Sequence, residues 1–266
     1  MPWAKLYPHV QSSNLLLSME CSRRFLSLAA VTGLVLVSSC STPPANDKIM
    51  LAGYESAVAS PIRTDQDRNA DAARHPAEFL AFAQVTPGMQ VLDVSAGAGY
   101  TSQLLALAVG PNGTVFAQAP KPGPTLLKRV ADHPQANLVV VARPFDDPTP
   151  DNAPKLDLVT LVLNYHDITY LQVDRAQMNA KLFAALKPGG RFVVIDHAGR
   201  RGTGISEGKT LHRIEESVVL DEVRRAGFVL DTESTFLRNP ADPLDTPSTG
   251  ANVPTDKFAL RFVRPR

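Results

Sequence analysis

From Val85 onward the chain alternates short runs of β-branched and apolar residues with longer stretches at helical spacing. That alternation predicts an α/β domain built on a mostly parallel sheet. Strands are expected over Gln90–Val94, Thr114–Gln118, Leu138–Ala142, Leu156–Leu163 and Arg191–Asp196. Between them, helices are expected near Tyr100–Val109, Pro124–Asp132 and Gln172–Leu186. The last of these places Val173, Ala176, Ala180 and Phe183 on one stripe, and Lys187-Pro188-Gly189-Gly190 stops it. A helix over Lys209–Ala226 then leads to a strand at Phe228–Ser234. The Pro- and Asp-rich stretch Asn239–Pro254 precedes a final strand, Lys257–Val263. Ahead of the sheet, Thr64–Arg74 reads as a charged helix whose Asp67, Arg68, Asp71 and Arg74 form surface ion pairs. A shorter helix over Ala77–Ala83 opens at Pro76.

The N-terminal pattern is different. Arg23 and Arg24 precede an apolar stretch, Phe25–Val37, which suits the core of an export signal and is short for a membrane span. Val37-Ser38-Ser39-Cys40 is similar to a lipobox, in which the cysteine becomes the acylated first residue of the mature chain. Residues 1–40 are therefore expected to be a lipoprotein leader, with Met19 as an alternative start. Residues 41–60 are expected to be a small-residue tether, and 61–266 the folded domain. The expected address is the periplasmic face of a bacterial membrane, on the outer-membrane side because Ser41 follows the cysteine.

Composition narrows the chemistry. Only two cysteines occur, Cys21 and Cys40, so a folded domain after the leader has no thiolate nucleophile, disulfide or cysteine-bound zinc. The net charge of +1, without a basic run, gives no sign of a nucleic-acid partner. A small-molecule substrate is the expectation.

The most informative stretch is Val91-Leu92-Asp93-Val94-Ser95-Ala96-Gly97-Ala98-Gly99-Tyr100, a buried strand running through a glycine turn into a helix. Glycine lets a ligand approach the backbone, and the helix N-terminus adds free N–H donors there. This stretch resembles the first motif of class I S-adenosylmethionine-dependent methyltransferases, with Asp93, Gly97 and Gly99 matching and Ser95 in the place of the first glycine. Asp157–Asp167 resembles that family's fourth strand and following loop. Ala184–Asp196, with its Lys-Pro-Gly-Gly turn, is similar to the family's helix, turn and fifth strand. The span from about Asp65 to Arg264 also resembles an exported bacterial group of methyltransferases, through LNYHD, DRAQMNAKLFAALKPGG, DHAGRRGTG and TLHRIEE. The resemblance implies a Rossmann-like sheet of seven strands, the last antiparallel, with helices on both faces. It also implies S-adenosyl-L-methionine as cofactor, held by Asp93, Ser95, Gly97, Gly99, Gln118 and Asn164. It further puts Asp67, Arg68, Asp71 and Arg74 beside the cofactor mouth, where a lid role is the alternative to surface ion pairs. One departure stands out. The family usually ends its second strand with an acid for the ribose hydroxyls, and that position falls at Ala119, with Gln118 as a neutral substitute. A nicotinamide dehydrogenase, the rival suggested by Gly97-x-Gly99-x-x-Ser102, expects an acid there too. The Lys-Pro-Gly-Gly turn favours the methyltransferase.

Polar residues gather where ligands bind open α/β sheets, beyond the carboxyl ends of strands. His166 and Asp167 follow the fourth strand; Asp196 and His197 follow the fifth; His212 and Glu215 or Glu216 are expected on one helical face nearby. His166, Asp167 and His197 are the candidate catalytic residues, with His166 as general base. Gly199, Gly202 and Gly204 suggest a flexible loop over them. Three functions follow: a small-molecule methyltransferase, a relic of one that binds a ligand or partner, and a metal-assisted hydrolase using the histidine group.

Overall fold

The computed structural model describes residues 45–249 and 254–266. The lipobox, Cys40 and the apolar stretch before them lie outside the described residues. Among those described, no helix is long and apolar enough to cross a membrane.

Seven strands form one sheet: β1 (Gln90–Val94), β2 (Thr114–Ala119), β3 (Leu138–Ala142), β4 (Leu156–Val162), β5 (Leu186–His197), β6 (Val229–Ser234) and β7 (Lys257–Val263). Their order is β3-β2-β1-β4-β5-β7-β6, with β7 antiparallel to both of its neighbours. This is the expected architecture. Strand side chains alternate between faces, and the core divides accordingly. Val91, Val115, Leu158 and Val193 point to one side, against α1 (Ala45–Val58), α3 (Pro76–Ala83) and α4 (Tyr100–Val109). Leu92, Val94, Val159, Leu161, Phe192 and Val194 point to the other, against α7 (Arg175–Ala185) and α9 (Glu216–Arg225). The remaining helices are α2 (Asp65–Arg74), α5 (Pro124–Asp132) and two single turns, α6 (Tyr165–Ile168) and α8 (Gly208–Leu211).

Three expectations are corrected. The tether expected over residues 41–60 is largely helix α1, whose Tyr54 and Ala57 join the core and whose Tyr54 hydroxyl donates to Val85 O at 2.9 Å. Small residues there hide a stripe at three- and four-residue spacing. On α7 the buried residues are Met178, Asn179 and Leu182, while Ala176 and Ala180 face solvent. Asn179 is a core residue because its amide donates to the Tyr165 hydroxyl at 2.8 Å. A buried polar residue held through its amide N–H, with its Oδ1 left without a partner, defeats an apolar-periodicity reading. Finally, the expected helix over Lys209–Ala226 breaks at His212, whose backbone is left-handed at φ 51°, and resumes as α9. His212 and Glu216 therefore do not share a helical face.

Candidate functional site

The glycine turn joins β1 to α4 at the carboxyl edge of the sheet. Gly97 and Gly99 have φ of 56° and 82°, which glycine adopts without strain. At Gly99 a Cβ would lie 2.8 Å from Leu126 Cδ1 and 3.0 Å from Arg129 Cδ, so its absence lets α5 close over the turn. Ser95 is also left-handed, at φ 58°. Its N–H donates to Gln118 Oε1 at 3.0 Å, while Gln118 Nε2 donates to Arg143 O at 2.6 Å. One contact thus links both departures from the family pattern: the glutamine at the end of β2 fastens the serine that replaces a glycine. Gln118 is fully buried, with its amide oxygen on Ser95 and its amide nitrogen on Arg143.

Asp93 is likewise tied inward. It accepts from Ser102 Oγ at 2.5 Å and Thr160 Oγ1 at 2.7 Å, pinning β1 to α4 and β4. Burial pushes its carboxyl up to about 6, against the opposing pull of the two hydroxyls and the charge of Arg74. Asn164, after β4, donates to Ser95 O at 3.3 Å and to Val162 O at 2.9 Å. A cavity of about 220 Å³ lies beside these groups, lined by Arg74, Asp93, Ser95, Gly97, Tyr100, Leu163 and Asn164, among others. It adjoins an apolar recess lined by Phe79, Ile195, Leu237 and Lys257, with Arg74, Tyr100 and Leu163 common to both. Among the described residues neither Arg74 nor Lys257 pairs with a carboxylate; Arg74 stacks on the Tyr100 ring at 4.7 Å, and Lys257 Nζ donates to Thr255 O. Of the two readings of Arg74, a place beside the glycine-turn cavity fits and a surface ion pair does not, whereas Lys257 carries no signature in the sequence.

Helix α2 departs from the surface-pair expectation and lies beside the glycine turn, as the alternative reading had it. Asp67 is 3% exposed and receives two hydrogen bonds from Arg129 on α5, while Asp71 is bound by Arg63 and the Tyr100 hydroxyl. These residues form the wall of the glycine turn rather than a solvated helix face.

The polar group expected after β4 and β5 is brought together. The His166 ring lies 5.9 Å from that of His197 and 5.5 Å from that of His212. His166 Nδ1 is 2.6 Å from Asp196 Oδ1, and its Nε2 is 3.1 Å from Asp167 Oδ1. Burial alone would lower the His166 pKa, but the bonds to Asp167 and Asp196 and their charges outweigh it and raise it to about 9. With Nδ1 on Asp196 and Nε2 on Asp167 the ring is charged at neutral pH, so His166 is not the ready general base that was expected, and Nε2 offers a lone pair only when its proton is displaced. His197 is the opposite case. Burial, followed by the charge of Lys257, lowers its pKa to about 3, so the ring is neutral, with Nδ1 2.9 Å from Thr255 Oγ1. Asp167 is held at about 2, its burial outweighed by bonds from His166, Tyr170 and His212. Glu215 faces away from this group. It accepts from the N–H groups of Gly202 and Gly204 at 2.9 and 3.0 Å, and so fastens the loop that was expected to be flexible.

Comparison with known proteins agrees with the geometry. Residues 48–122 match the family described as protein-L-isoaspartate(D-aspartate) O-methyltransferase. The chain is 30% identical over 123 residues to the demethylmenaquinone methyltransferase of Symbiobacterium thermophilum, covering 45% of this chain and 47% of that one. It is 31% identical over 121 residues to the ubiquinone/menaquinone biosynthesis C-methyltransferase UbiE of Burkholderia multivorans, covering 44% and 46%. The chain thus spans about half the length of the curated relatives it matches. A SAM-dependent methyltransferase from Aquifex aeolicus superposes with a TM-score of 0.56 at 17% identity, over 80% of this chain and 97% of the other. A SAM-dependent O-methyltransferase from Thermotoga maritima gives 0.50 at 16%, over 82% and 71%. At such identities the structures speak for the fold. The hydrolase alternative draws no support from these matches.

Proposed function

We propose that this chain is a class I S-adenosylmethionine-dependent methyltransferase, a reading supported by the family match over residues 48–122, by the relatives and by the sheet order, and that it transfers a methyl group from that cofactor to a small molecule. The observation carrying the proposal is the cavity beside the glycine turn, with the positive-φ residues Ser95 and Gly97 in its lining and an arginine that pairs with no carboxylate among the described residues in its wall. Those residues fit the cofactor. The N–H groups of Gly97 and Ala98 make no hydrogen bond among the described residues, and Arg74 complements a carboxylate. Gly97, Gly99, Ser95 and Asn164 would hold the amino-acid end of the cofactor, with Asp93 bracing the turn from behind. The ribose end would meet Ala119 and receive no carboxylate. When bound, the cofactor supplies an electrophilic methyl group, so the protein's contribution is alignment.

For the acceptor, the recess beside Arg74 and Lys257 offers only about 20 Å³, so it marks an apolar, cationic wall that the nonpolar part and anionic group of an acceptor would meet rather than a formed pocket. A cation facing a dry recess gains more from an anion than it would in water. Of the three candidate catalytic residues, His197 is the neutral imidazole, and Asp167 and His166 shape the wall around it.

Calorimetry of the purified chain with S-adenosylmethionine and with its demethylated product tests the reading. Saturable binding that is weakened by Arg74→Ala supports it. Absence of binding to either compound would reject it. The lipobox supports placement of the protein on a membrane through Cys40, on the extracytoplasmic side.

A further inference from the structure

The geometry points to a first-row transition-metal site at His166 Nε2, Asp167 and His212 Nδ1. We infer that it takes a divalent ion of the zinc, cobalt or iron class, and it goes beyond the cofactor cavity. One ligand atom from each residue lies within 4.8 Å of the other two. The two measured edges are short: His166 Nε2 to Asp167 Oδ1 is 3.1 Å, and His212 Nδ1 to the same oxygen is 3.2 Å. A tetrahedral ion with bonds of about 2.0–2.1 Å separates its ligands by about 3.3 Å, so these edges need little adjustment. Two imidazoles and one carboxylate are the donor set of such ions, whereas magnesium and calcium require oxygen alone.

What lies behind the ligands makes the cluster a built site. Asp196 is fully buried and sits on the far nitrogen of His166, at 2.6 Å. The backbone N–H groups of His166 and His197 hold that same carboxylate, each at 2.8 Å. A carboxylate fixed in this way orients the imidazole and sends its other nitrogen outward, the arrangement found behind metal-bound histidines. His212 is delivered by equally specific means. Helix α8 reaches α6 through Gly208, where a Cβ would stand 2.6 Å from Thr169 Oγ1 and 2.9 Å from His166 O. His212 then takes the left-handed conformation, which a residue with a Cβ adopts only when its surroundings impose it, with Ser248 Oγ donating to its carbonyl at 3.0 Å. The next residue, Arg213, is fully buried on Asp242 and the Ala198 carbonyl, which locks the break in place. Asp167 and His212 are about a third exposed, so the outer side of the site is open to water or to an acceptor oxygen.

Zinc is the probe, used with the purified full chain carrying no histidine tag and stripped with chelator. Calorimetry should show one saturable zinc site, and cobalt at the same site should give visible absorption from imidazole and carboxylate ligation. His212→Ala should weaken zinc at least tenfold while preserving the circular dichroism of the fold, since this ring is partly exposed. Asp167→Asn should do the same. His133→Ala, at the end of α5 and outside the cluster, should leave zinc binding unchanged. The site is rejected if zinc does not bind saturably, or if its affinity is the same in His212→Ala and Asp167→Asn as in the parent chain. Binding of S-adenosylmethionine, measured on the same preparation with and without zinc, separates the two proposals. Cofactor without zinc rejects the metal site alone, and zinc without cofactor rejects the methyltransferase reading alone.

Discussion

Arg129 on α5 and Asp67 on α2 face each other through two hydrogen bonds of 2.7 Å, in a pair whose side chains are only 7% and 4% exposed. The same guanidinium donates through Nε to Ala98 O at 2.7 Å and through Nη1 to Gln103 Oε1 at 2.6 Å. One side chain therefore clamps the glycine turn between two helices far apart in sequence. Removing it would leave a buried carboxylate without its counter-ion, which costs about 3–5 kcal/mol. Arg129→Ala should lower the urea midpoint accordingly and weaken cofactor binding, because Ala98 loses its restraint. Equilibrium unfolding and calorimetry on the variant check both effects; unchanged stability would mean that the pair does not hold the turn.

Asp93 carries a pH dependence of definite sign. Its folded pKa, about 6, lies above the ordinary 3.8 because burial disfavours the charged form. Its contribution to stability is therefore fully present below pH 3.8 and is lost as pH rises through about 6. A shift of this size corresponds to about 3 kcal/mol over that window. In Asp93→Asn the window should flatten, so the stability difference between parent and variant should vary with pH between about 4 and 7. Urea titrations of both proteins across that range provide the check.

Ala119 ends β2 half-buried, beside Gln118, whose amide is already engaged. Ala119→Asp should supply the charged acceptor that the cofactor ribose lacks. Hydrogen bonds to charged groups contribute about 1.5–3 kcal/mol, or about one to two decades in affinity. An unchanged dissociation constant for S-adenosylmethionine would place the ribose elsewhere.

Cys40 should carry a diacylglycerol thioether, and the mature chain should begin there. Mass spectrometry of the N-terminal peptide from a membrane fraction reads this directly. A chain that begins at Met1 or Met19 and stays in the cytosol would overturn the expectation.

Strands β1, β3 and β7 and helices α4 and α5 stand where the pattern of apolar residues places them, because each buries a regular stripe that periodicity reports. The glycine turn was legible for a similar reason: positive φ and close approach demand glycine at Gly97 and Gly99, and short motifs record such local demands. The convergence of His166, Asp196 and His197 followed from strand order, since β4 and β5 are neighbours and each ends in polar residues. What the chain could not disclose is who pairs with whom. Asp67 and Arg129 are 62 positions apart, and whether a charged helix face is solvated or buried depends on what folds against it. His166 reads as a base in isolation, yet Asp196 and Asp167 occupy both of its nitrogens. The break at His212 is imposed by the buried Arg213–Asp242 pair and by the close approach at Gly208, neither of which leaves a local signal. Periodicity and turn chemistry are properties of neighbouring residues. Protonation, pairing and the aim of a side chain are set by desolvation and by partners that only the tertiary fold brings within reach.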